Sequence, residues 1–97
     1  MPLQAKRARR GTAQPTDPII HELPPLRHGG TEVAVRLETR RSEDGTWRGR
    51  LIFGGEDAAT GRSTAEIFCA VTESDLWQSV RGFRDHHFRD LYRSLFE

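Results

Sequence analysis

Two short runs in which apolar and polar residues alternate, 32–40 and 47–53, constrain this chain more than anything else in it. Alternation puts every second side chain on one face of a strand. Val33, Val35 and Leu37 therefore share a face in the first run, as Trp47, Leu51 and Phe53 do in the second. Ala34, Arg36, Glu38 and Arg40, with Arg48, Arg50 and Ile52, take the other face. Both apolar sets are odd-numbered. Opposed residues of an antiparallel pair point the same way, so the numbers of each pair must add to an even total. A two-residue Asp44-Gly45 loop fails that test. A three-residue loop with Gly45 left-handed beside a bulge meets it, and predicts Leu37 opposite Leu51, Val35 opposite Phe53 and Glu38 opposite Arg50.

Residues 54–62 read as a flexible, glycine-rich polar loop. Its Gly54-Gly55 pair lacks the spacing of a phosphate cradle, and Glu56 and Asp57 would repel a phosphate. Residues 64–71 predict a third strand, with Ala65, Ile67, Cys69 and Val71 toward the core and Glu66, Phe68 and Ala70 outward. From Thr72 the period becomes helical, and Leu76, Trp77, Val80, Phe83, Phe88, Leu91, Tyr92 and Leu95 recur along one broad side. Thr72 followed by Asp75 marks the start, a hydroxyl cap with a carboxylate in the first turn.

The expected fold is α+β: a three-stranded antiparallel β-meander packed on one long C-terminal α-helix, in the order β-β-β-α. A helix of ~24 residues is ~36 Å long against ~23 Å for a seven-residue strand, so its far end should overhang the sheet. The apolar side is also wider than the ~100° that one packed face needs. Gly49 falls on the core side of the central strand. Its missing side chain leaves room for a ring, so Trp77 or Phe83 is expected there with Trp47 at the rim.

Residues 1–17 are polar, lack periodicity and carry Lys6, Arg7, Arg9 and Arg10, the pattern of a disordered basic arm. Residues 18–30 mix Ile19, Ile20, Leu23 and Leu26 with three prolines, which excludes a helix interior and a central strand. That leaves an extended proline-rich strap laid over a domain of residues 31–97. The net charge is +1, so bulk electrostatics select no partner. Its distribution says more, because residues 1–28 hold five basic and two acidic residues while the rest is faintly acidic. The near absence of lysine beside abundant arginine suggests the coding bias of a GC-rich bacterial genome. With Cys69 the single cysteine, no intramolecular disulfide can form, and a cytoplasmic location is expected. No run approaches the ~18 apolar residues of a membrane span.

Chemistry-bearing constellations are scarce. His21, His28, Cys69, His86 and His87 include no HxxxH or CxxC pair, and adjacent His86 and His87 point about 100° apart on a helix, so no metal site and no cofactor is expected. His87 falls in the apolar stripe, where a core histidine bonded to a backbone group is expected. No paired carboxylates and no nucleophile with a base can be assembled, and the chain is read as a non-enzyme.

The order of three strands and a helix, with Asp44-Gly45-Thr46-Trp47 in the first hairpin, resembles the HicB-type antitoxins over about sixty residues. That likeness implies a small sheet-and-helix domain that oligomerises. The Pro-Asp-Leu-Pro-Gly type segment of that family is absent here, and a glycine-rich loop with a third full strand stands in its place.

The function expected from the residues is a protein-interaction module, most simply a homo-oligomer. It would associate through Trp77, Arg84, Phe88, Tyr92, Leu95 and Phe96. The alternative is nucleic-acid binding, with Lys6, Arg7, Arg9 and Arg10 on phosphate and Arg36, Arg48 and Arg50 extending the patch.

Overall fold

The computed structural model describes residues 16–96, so the basic cluster Lys6, Arg7, Arg9 and Arg10 lies outside the described residues. Five strands and two helices follow in the order β1 (Ile19–His28), β2 (Thr31–Arg41), β3 (Trp47–Phe53), β4 (Arg62–Ser63), β5 (Phe68–Ala70), α1 (Glu73–Arg81) and α2 (Asp85–Phe96). The protein is α+β. One antiparallel sheet runs β1-β2-β3, and β4 and β5 share the remaining edge of β3.

The β2–β3 hairpin has the register that parity requires: Leu37 faces Leu51, Val35 faces Phe53 and Glu38 faces Arg50. Gly45 closes the turn at φ 87°, in the left-handed region that favours glycine. Asp44 organises the rest, its Oδ1 accepting from the Thr46 amide at 3.0 Å and the Thr46 hydroxyl at 2.6 Å. The Ser42 hydroxyl also donates to it.

Residues 18–30 are not an irregular strap. Ile19–His28 is a paired edge strand, interrupted by a bulge between Leu23 and Leu26. Pro24 and Pro25 occupy that bulge, where the missing N–H groups cost no ladder bonds. Leu23 faces Val35 while Leu26 faces Val33, so the extra residue places an odd and an even position on the same inner face.

The last strand is shorter than expected and presents the opposite set of residues. Gly49 faces Phe68 and Trp47 faces Ala70, so even-numbered residues here share the core side with the odd residues of β3. Phe68 and Thr64 are buried, while Ile67, Cys69 and Val71 are exposed. The cause is the connection. A hydrogen-bonded turn at Asp57–Thr60 leads into β4, where Ile52 faces Ser63 and Phe53 faces Arg62, and Leu51 clasps Thr64, donating its N–H to the Thr64 hydroxyl and accepting the Thr64 N–H.

The long helix is two helices. α1 ends at Gly82, and Arg84 starts α2 by accepting the His87 and Phe88 amides on its carbonyl. His87 reaches back with Nδ1 to accept the Arg84 N–H at 2.9 Å, the reciprocal half of a capping box with imidazole where glutamate is usual. His87 is thus bonded to the backbone as expected, but exposed rather than in the core. The break removes the overhang. α2 turns back along β1, and its last turn reaches the end of β3, where Tyr92 packs against Phe53.

Leu37, Leu51, Phe53 and Leu76 are completely inaccessible and form the centre of the core. Gly49 is packed, but not by a ring: a Cβ there would lie 3.3 Å from Leu37, 3.5 Å from Leu76 and 3.5 Å from Phe68. On the other face of the sheet the loop after β3 folds over Ile52, which is buried although it points away from the helices. Arg36 holds that loop, donating to the carbonyls of Gly54 at 3.3 Å and Glu56 at 3.2 Å and to Glu22 at 2.7 Å. Gly55, at φ 76°, has no room for a side chain, since a Cβ would sit 2.5 Å from the Gly61 nitrogen.

Candidate functional site

Two local interruptions meet in space. The proline bulge of β1 lifts the edge of the sheet, and opposite it the Gly82-Phe83-Arg84 break opens the helical layer. Between them lies a cleft of about 360 Å³. Leu23, Pro24, Pro25, Leu26 and Val35 form its sheet side, and Trp77, Val80, Phe83 and Phe88 its helical side. Phe83 is held edge-on to Phe88, ring centres 5.5 Å apart, and tilted against Phe68 at 5.0 Å. Trp77 meets the His21 ring edge-on at 4.8 Å, and His21 Nε2 is 2.9 Å from the buried Thr39 hydroxyl. Phe83 and Phe88 are thus pinned by other rings rather than by full enclosure, which suits a preformed concave surface.

Two charges stand at the mouth of this cleft. Arg81 closes α1 and Asp85 opens α2, each at the helix end its sign favours. Both are exposed, and among the described residues neither forms an ion pair.

The six residues expected at an interface divide. Trp77 and Phe88 line the cleft. Tyr92, Leu95 and Phe96 gather at the far end of α2, where Tyr92 packs against Phe53 at 5.9 Å and stacks on Phe96 at 4.6 Å. Arg62 locks that end, with its guanidinium 4.8 Å from the Phe96 ring centre and Nη1 donating to the Leu95 carbonyl at 2.8 Å. Arg84 is exposed at the break and belongs to neither group. The cleft itself was missed by sequence reasoning. Gly82 inside the helical period and Pro24-Pro25 inside the alternation of β1 were its local signals.

The arginines of the opposite sheet face are engaged. Arg36 pairs with Glu22, Arg50 with Glu38 at 2.6 Å and Arg48 with Asp44 at 3.2 Å. Arg40 grips Glu66 through two bonds of 2.6 and 2.9 Å, which holds the Glu66 carboxyl below its usual range and raises the guanidinium. Asp44 is held well below the usual carboxylate range by the hydroxyls of Ser42 and Thr46, the Thr46 amide and Arg48. Among the described residues no three histidine, cysteine or acidic side chains are grouped to hold a metal, and no helix is long and apolar enough to cross a membrane.

Compared with protein-family models, curated proteins and solved structures, the chain matches none. Any functional reading therefore comes from the geometry of this chain.

Proposed function

We propose that the protein is a small non-catalytic interaction module that self-associates through the apolar side of its C-terminal helical segment. One observation carries this reading. α2 bears Phe88, Leu91, Tyr92, Leu95 and Phe96, and buries none of them fully. Half-buried aromatic and aliphatic side chains beside an open apolar cleft are the surface that a partner stabilises by excluding water. The sheet edges offer less. Pro24 and Pro25 interrupt the outer edge of β1, and β4 and β5 are only two and three residues long, so strand-to-strand addition has little to extend.

Light scattering at micromolar concentration tests the reading, with a dimer expected. Phe88→Glu should shift the chain to monomer with the far-ultraviolet circular dichroism retained, because Phe88 is half-exposed at the cleft. A wild-type chain that stays monomeric up to about 100 µM overturns it, since association that weak supports no lasting assembly.

Nucleic-acid binding takes second place. Its arm residues fall outside the described range, and Arg36, Arg48 and Arg50 already hold carboxylates. A gel shift with random DNA and RNA at low salt, repeated without the first fourteen residues, checks it.

A further inference from the structure

The start of α2 is held by a bond that only a neutral imidazole can make. His87 Nδ1 accepts the Arg84 N–H at 2.9 Å, while the Arg84 carbonyl accepts the His87 and Phe88 amides at 2.9 and 3.3 Å. Glutamate and glutamine, the usual residues at this place in a capping box, accept through oxygen and keep that capacity near neutral pH. Imidazole does not. Once protonated it carries a hydrogen on each nitrogen, so Nδ1–H would face the Arg84 N–H, and turning the ring over offers only a C–H. Two further features act in the same direction. The new charge would stand in the first turn of α2, at the positive end of the helix dipole. The His86 ring is centred 4.0 Å away, so a second imidazolium there would repel the first. Phe83, tilted by 45° with its centre at 5.2 Å, steadies the His87 ring in either state.

Few surrounding charges bear on this ring. Within a turn along the chain stand Arg84, Asp85, His86 and Asp90, and among the described residues no carboxylate forms an ion pair with it. α1 contributes Arg81, at the cleft mouth across the break. β5 reaches the site through Phe68 against Phe83, with exposed Cys69 on the opposite face. β1, beneath α2, turns Leu23, Leu26 and His28 inward, His28 lying against Tyr92 more than a turn away, while Arg27 alternates outward.

We infer that His87 is a proton-sensitive clasp on the join between α1 and α2. Its contribution is present while the ring is neutral and is lost as pH falls through the span in which a free imidazole protonates, about pH 7.5 to 5.5. Phe83 and Phe88 flank the clasp and belong to the helical side of the cleft, so release loosens that wall. The device works within a single chain, whether or not the chain self-associates.

Hydrogen exchange tests it, with the rate of each amide divided by that of an unstructured chain at the same pH. Protection of the Phe88 and Arg89 amides should fall about fivefold between pH 7.5 and 5.5, the scale of a lost side-chain cap. In His87→Gln an oxygen accepts at both pH values, and protection should stay constant. His86→Gln should keep the fall, because the neighbouring ring makes no capping bond. Constant protection in the wild type overturns the clasp. A fall of equal size in His87→Gln overturns it too, as does disappearance of the fall in His86→Gln.

Discussion

α1 and α2 are amphipathic helices of similar length joined by three residues, yet they stand differently in the molecule. α1 buries Leu76 completely and Val80 almost so, while α2 buries nothing completely. The difference lies beneath them. α1 crosses the middle of the sheet, where Gly49 lets Leu76 come within 3.5 Å of where a Cβ would be, with Leu37 and Phe68 closing the sides. α2 runs along β1, an edge strand broken by prolines, and meets the body through a row of rings. Similar helical patterns thus produce an anchor in one case and a surface in the other.

The largest effect should come from the anchor. Leu76→Ala deletes a fully buried side chain and is expected to cost about 2–5 kcal/mol in urea unfolding, enough to threaten the fold. Next is the glycine that admits it. Gly49→Val adds methyl groups against Leu37 and Leu76, neither of which has space to give, and should cost about 1–3 kcal/mol, with a neutral result rejecting the packing account. By contrast Leu95→Ala on α2 should cost only about 1 kcal/mol in dilute, monomeric protein, because a half-buried leucine has less transfer energy to lose. A loss as large as that at Leu76 would erase the contrast between the helices. The smallest effect should be seen at the far end of the hairpin. Asp44 titrates below its usual range when folded, so its contribution is present above about pH 4, the ordinary value, and is lost as pH falls further. Asp44→Asn should flatten the decline in melting temperature between neutral and acidic pH.

The β2–β3 hairpin was legible because parity and turn chemistry are local, and only one loop length satisfies both. The face of the last strand was not. Ile67, Cys69 and Val71 look like core residues by hydropathy, but Thr64 on Leu51 fixes the pairing and turns Phe68 inward instead. The extended character of 18–30 is legible in its prolines, but its pairing with β2 as an edge strand depends on a partner too distant for local pattern to specify.

The α+β class, the register of the central hairpin, the alternation that separates core from charged face and the start of the helical segment at Thr72 are all written locally in the chain. Each of these follows from spacing along a few residues. Packing made Gly82 the end of a helix rather than a glycine tolerated inside one, and the segment after it lies against the sheet, where Tyr92 meets Phe53. It also decided where the cleft lies, since a bulge in β1 and a break after α1 become one feature only when packing sets them face to face.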